Sequence, residues 1–133
     1  MPELPIGILP DSGGIQRLPR RLPYNIALEM LLLGRRMGAA EAKHYGLVNA
    51  VVPKEKLMAT ARDWADSIAA GAPLTIQALK EALKADDGRG IREGFEAIRS
   101  GRLPAYERAL VSEDAKEGVR AFAEKRKAVF KGR

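Results

Sequence analysis

Few residues in this chain could do chemistry by themselves. The one histidine, His44, stands beside Tyr45 and Gly46 near an expected helix end, where a solvated or end-capping role fits. No metal constellation can be assembled around it. Cysteine is absent, so thiolate metal sites, a cysteine nucleophile and a disulfide framework are impossible. No serine lies in a Gly-x-Ser-x-Gly elbow. Ser12-Gly13-Gly14 has the composition of a phosphate-binding helix N-terminus. However, no Walker lysine comes after it and the dinucleotide fingerprint is missing, so a cap with close packing is the simpler role. Asp11, one residue earlier, suits a turn or cap position ahead of a helix.

The basic side chains are better organised. Lys and Arg number 23 against 17 Asp and Glu, a formal charge of +6, and the excess is local. Arg17, Arg20, Arg21, Arg35 and Arg36 face a single acid, Glu29, within residues 17–36. Lys125, Arg126, Lys127, Lys131 and Arg133 face only Glu124 at the C-terminal end. Such clusters suit contact with a few phosphates. Two simpler roles compete. Lys125–Lys127 could complement a helix C-terminus, at ~0.3–1 kcal/mol each, and Arg17, Arg20 and Arg21 fit an interdomain or subunit surface. Nucleic acid is not an expected partner, because only seven aromatics exist and none interleaves with the basic residues.

Elements must position these groups. With 46% apolar and 30% charged residues in 133, composition predicts one soluble globular domain. The longest apolar run, Met30–Leu33, is far short of the ~20 residues that span a bilayer. Met1-Pro2-Glu3-Leu4-Pro5 has neither a positive leader nor an apolar signal core, which predicts a cytoplasmic protein with no membrane partner. Leu4–Leu9 reads as a brief extended segment entering a turn, and Leu47–Val52 as a short strand or extended segment. Pro19 and Pro23 divide the next stretch into helices over Ser12–Leu22 and Pro23–Leu33, the second apolar on most sides and deeply buried. Gly34 closes the second helix, and Gly46 ends a short one over Ala39–Tyr45. Beyond Pro53 the pattern is helical. One stripe is formed by Leu57, Met58, Ala61, Trp64, Ala65 and Ile68 and a second by Ile76, Leu79 and Leu83; a helix from Ile91 bends or ends near Pro104. The last helix starts at Ser112, with Glu113 and Asp114 in its first turn and Lys125-Arg126-Lys127 in its last.

The order of three separated motifs resembles the crotonase family, the enoyl-CoA hydratases and isomerases. The first is Pro2-Glu3 and then Ile6-Gly7-Ile8-Leu9-Pro10-Asp11-Ser12-Gly13-Gly14-Ile15-Gln16-Arg17-Leu18-Pro19. The second is Gly34-Arg35-Arg36-Met37-Gly38-Ala39-Ala40-Glu41-Ala42 with Gly46-Leu47-Val48-Asn49-Ala50-Val51-Val52-Pro53. The third is Ser112-Glu113-Asp114-Ala115-Lys116-Glu117-Gly118 with Phe122-Ala123-Glu124-Lys125-Arg126-Lys127. Within the family, the Pro10–Gly14 turn, Ile98-Arg99-Ser100-Gly101 and the ending Phe130-Lys131-Gly132-Arg133 look most like the carnitinyl-CoA (crotonobetainyl-CoA) dehydratase branch.

The resemblance implies a mainly α fold with short β segments, the C-terminal helical portion of a crotonase-like α/β fold. Residues 1–52 would close the core, with Glu3 and the Pro10–Gly14 turn, and 53–133 would form a helical region for trimerisation and coenzyme A contact. It implies acyl-CoA as substrate, with no covalently bound cofactor, and a homo-oligomer, a trimer or dimer of trimers. Glu3 matches the second of the family's two catalytic glutamates. Asp11 stands where some members place a proton-moving acid for isomerase chemistry. Pro10, Ser12 and Gly13 match the substrate-side turn, while Tyr106 and Lys125 match positions that contact coenzyme A. The first glutamate and the oxyanion-hole donors belong to an upstream Gly-rich motif that these 133 residues do not contain. The expectation is therefore the C-terminal half of an acyl-CoA hydratase or dehydratase, inactive alone. The alternatives are an enoyl-CoA isomerase or a non-enzymatic module for assembly and coenzyme A binding.

Overall fold

Prolines and glycines cut the first part of the chain into short helices. In the computed structural model, which describes residues 3–133, the described residues form two compact units that divide between Leu57 and Met58. Pro2, of the Pro2-Glu3 motif, lies outside the described residues. In the first unit α1 spans Gly14–Arg21, α2 Tyr24–Leu33 and α3 Ala39–His44. Pro23 precedes α2, where a missing N–H breaks no intrahelical bond. Pro19, expected at an interruption, is carried inside α1, which loses one backbone bond there and ends two residues later. Gly34 and Gly46 both adopt positive φ, 63° and 74°, just past α2 and α3, and Leu47 N–H returns to the Ala42 carbonyl at 2.8 Å.

The first core is formed by Leu22, Ile26, Ala27 and Met30, with Leu18, Met37, Tyr45 and Leu47 packed against it. This corrects the expectation that α2 is covered on most sides, since Leu33 remains 69% exposed. Of the other helices only α1 makes an extensive contact with α2, and one neighbour covers one face.

The expected β segments are also corrected. Leu4–Ile6 is a single 3-10 turn closed by Gly7 at φ 75°, with Gly7 N–H on the Leu4 carbonyl at 3.0 Å. Pro5 cannot donate to a ladder, and Gly7 takes a turn conformation rather than an extended one. Residues 47–52 make no strand, and no strand occurs among the described residues. The run has no ladder partner, and the Leu47 and Val48 N–H groups turn back instead to the Ala42 carbonyl. Thus the mainly helical class holds and its short β segments do not.

Helix α4 (Leu57–Ala69) begins at the boundary, and the second unit holds the rest of it with α5 (Pro73–Asp86), α6 (Ile91–Ile98), α7 (Pro104–Leu110) and α8 (Glu113–Ala123). None of these helices is long and apolar enough to cross a membrane. Leu74 and Ala78 of α5 pack on Ala109 of α7, with Tyr106 alongside. Alanines at the contact let the two helix axes approach closely. The expected stripe on α5 is therefore not the packed one. Leu79 and Leu83 are exposed, and the buried face is Leu74, Ala78 and Ala82. The stripe on α4 is real but uncovered within the unit, with Met58, Trp64 and Ile68 all exposed.

Ser112 caps α8, its Oγ accepting from Ala115 N–H at 3.0 Å. The helix ends at Ala123, so Lys125-Arg126-Lys127 stand beyond its last turn, where Arg120 is the basic residue. The tail then returns along the helix it has left. Asp114, only 2% exposed, accepts Lys131 N–H at 2.7 Å on Oδ1 and Gly132 N–H at 2.8 Å on Oδ2. Its own N–H donates to the Arg133 carbonyl at 3.2 Å. Further along α8, Glu117 accepts both Arg126 Nη atoms, at 2.6 and 3.0 Å, Arg120 Nη2 at 2.8 Å and Val129 N–H at 3.1 Å. Its carboxyl is held well below the usual carboxylate range, first by Arg126, then by Arg120 and the Val129 N–H.

Asp114→Asn turns an amide NH2 towards one of the two backbone donors that the buried carboxylate holds. It should lower the unfolding free energy by about 1–3 kcal/mol in urea titrations. Because the Glu117 carboxyl is depressed in the folded chain, its contribution is complete above the unfolded carboxyl range of about 4–4.5 and is lost as pH falls below it. Urea midpoints taken from pH 7 to pH 3 should fall in the wild type and fall less steeply in Glu117→Gln.

Candidate functional site

The carboxylate with chemistry expected of it is placed by the first turn of the described chain. The Glu3 carbonyl accepts Ile6 N–H and Ile8 N–H, both at 3.1 Å, which fixes its backbone at the head of the Leu4–Ile6 turn. Its side chain does not cap that turn. Oε2 is instead buried and has no hydrogen-bond partner, an unusual condition for a carboxylate oxygen.

Pro10 begins the adjoining turn, and its carbonyl accepts Gly14 N–H at 3.1 Å and Ile15 N–H at 3.4 Å. Asp11 and Ser12 are exposed. The expected Ser12 cap is not made. The residue ahead of α1 is Gly13, at φ 105°, and no side chain caps the helix. A left-handed residue at this point lets backbone groups close the first turn, so the Ser12 hydroxyl is not needed there. Arg17 folds back to donate from Nη1 to the Ser12 carbonyl at 3.3 Å. Glycine suits position 13 because of its left-handed φ; a Cβ there would meet only the movable end of the exposed Arg17 side chain. Because the Gly14 and Ile15 donors are spent on Pro10, the turn offers an anion the positive potential of a helix end rather than those two hydrogen bonds.

Glu3, Pro10, Asp11, Ser12 and Gly13 all belong to the first unit, and Tyr106 and Lys125 to the second. Tyr106 is half-buried against the α5–α7 contact, with its N–H on Glu81 Oε2 at 2.9 Å. Lys125 is exposed and stands just past α8. His44 is exposed and meets Tyr45 edge-on at 4.9 Å. Among the described residues no group of three His, Cys, Asp or Glu could hold a metal.

Sequence reasoning missed the pairing of Arg35. Its Nη2 and Nη1 bind Glu41 at 2.7 and 3.0 Å, and Nε lies 2.8 Å from Glu29. The Glu41 hydrogen bonds and, after them, the Glu29 charge raise the Arg35 pKa further, while Arg35 lowers that of Glu41. One charge of the first basic cluster is thus committed to joining α2 and α3. The six-residue spacing across Gly34 and Gly38 gave no periodic signal for it. A shallow depression of about 840 Å³ on α6, lined by Ile91, Arg92, Phe95, Glu96 and Arg99, contains none of the sequence-assigned residues.

Comparison with known proteins gives this geometry a context. The family model described as enoyl-CoA hydratase/isomerase matches residues 1–133. The carnitinyl-CoA dehydratases of Proteus mirabilis and Citrobacter koseri are 53% and 52% identical to the whole chain, each over 51% of its own length. Among solved structures, the enoyl-CoA hydratase of Bacillus anthracis superposes with a TM-score of 0.87 at 37% identity, over 98% of this chain and 49% of that one. That of Mycobacterium tuberculosis gives 0.85 at 33%, over 99% and 51%. The chain spans about half the length of the curated relatives it matches. With a family model matched from end to end, and with the motifs around Glu3, Gly34 and Ser112 in family order, this chain belongs to the enoyl-CoA hydratase/isomerase family.

Proposed function

We propose that these residues form the C-terminal half of an acyl-CoA hydratase or dehydratase of the carnitinyl-CoA dehydratase type. The supporting observation is the Glu3 carboxylate, whose Oε2 is buried without a hydrogen-bond partner. A buried polar atom left unpaired is costly. It is retained where a reacting group takes the bond.

In this reading a trans-2-enoyl thioester of coenzyme A adds water across its double bond. The water oxygen bonds to the β-carbon, and a proton is delivered to the α-carbon as the enolate collapses. Glu3 delivers that proton. The carboxylate that activates water, and the two N–H donors that hold the thioester oxygen, lie outside these 133 residues. Such donors are commonly the largest electrostatic contribution to this kind of catalysis. The Pro10–Gly13 turn lies on the substrate side. Asp11 is the second proton-moving acid, and prominence of its role would shift the chemistry towards isomerisation. Lys125 contacts the nucleotide end of coenzyme A, and Tyr106 packs near the cofactor. Residues 1–52 close the core and 53–133 form the helical region for oligomer and cofactor contact, in a cytoplasmic homo-oligomer.

The test is a chimera in which these 133 residues replace the matched half of the Proteus mirabilis carnitinyl-CoA dehydratase. The chimera should hydrate crotonobetainyl-CoA, and Glu3→Gln should reduce kcat by about a hundredfold or more. The 133-residue chain alone should show no turnover. Activity indifferent to Glu3→Gln would remove Glu3 from its role, and turnover by the chain alone would show that no second half is needed.

A further inference from the structure

The end of α8 has an unusual occupant. Arg126 N–H bonds the Ala121 carbonyl at 3.0 Å and Lys125 N–H bonds that of Phe122 at 3.2 Å, the paired closure of a Schellman motif. In that motif the residue with left-handed backbone is usually glycine. Here it is Lys125, at φ 52°, the one non-glycine residue with positive φ among those described. A side-chain-bearing residue is disfavoured there, and it persists only where its surroundings over-determine it.

The surroundings do so through both neighbours. Arg126 is gripped bidentately by Glu117 and also bonds Glu124 from Nε at 2.5 Å. Val129 N–H, on the same Glu117 carboxylate, fixes the chain beyond. Phe130 lies over Gly118, where a Cβ would be 3.7 Å from its ring. Lys125 itself is exposed and has no ion pair among the described residues. The residues on either side are therefore paired while the ammonium between them is left for an anion.

We infer that Glu117, acting through Arg126, is a positioning residue that holds Lys125 in its left-handed conformation and aims its ammonium at a phosphate of coenzyme A. This rests on the reading that Lys125 contacts coenzyme A. Glu117 touches no ligand. It sets the backbone from which the lysine projects, so its effect on binding should pass entirely through that lysine.

Coenzyme A is titrated calorimetrically into the full 133-residue chain and its variants, with helix content monitored by circular dichroism. Lys125→Gly removes the ammonium and the backbone strain together. It should weaken coenzyme A about tenfold or more while stability holds or rises. Glu117→Gln and Arg126→Gln, each with α8 intact, should weaken coenzyme A by roughly three- to tenfold. Combined with Lys125→Gly, neither should weaken it further, because the losses are not independent. Additive losses, or no loss in either single variant, would overturn the positioning role and leave the contact by Lys125 standing. No binding by the wild type, or binding unchanged by Lys125→Gly, would overturn the contact itself and the inference with it.

Discussion

Asp114 holds two backbone N–H groups of the tail while itself almost out of solvent, and the C-terminal end of the second unit depends on that bond pair. A carboxylate so placed is tolerable only because both oxygens are used. The buried apolar residues of that unit are small, mostly alanines from α5, α7 and α8, with Leu74 the one large aliphatic. Contacts between alanines bring helices close but bury little area. Order at this end therefore comes from directed polar ties, at Asp114, Glu117 and the Ser112 cap.

The two basic clusters illustrate how charge counted along a sequence becomes charge available in space. In the first, Arg35 is consumed between Glu29 and Glu41, and Arg17 turns back on its own turn. In the second, Arg126 and Arg133 are paired to Glu117 and Glu113, whereas Lys125 is not. An excess that the sequence already divides into two clusters thus narrows further, at the C-terminal end, to groups such as the Lys125 ammonium.

Punctuation was legible in the sequence. Pro23, Gly34, Gly46 and Ser112 act where their chemistry predicts, because a missing N–H, a positive φ or a hydroxyl cap is decided locally. Features that need a partner were not legible. Residues 47–52 have strand composition but no strand to pair with, and α5 presents two apolar stripes of which the one with alanines meets α7. For the candidate site, the motifs singled out Glu3 and the Pro10–Gly13 turn, but not the unpaired Glu3 Oε2 or the backbone closure that displaces Ser12. Both depend on atomic placement that no local pattern encodes. The left-handed Lys125 was hidden for the same reason, since lysine carries no local preference for that conformation.

The uncovered stripe on α4 has an optical consequence. Trp64, 49% exposed on that face, is the only tryptophan in the chain. Its indole emission therefore reports a single location without interference from any other. A red-shifted spectrum describes α4 in water, and a shift to the blue records the moment something apolar is laid against it.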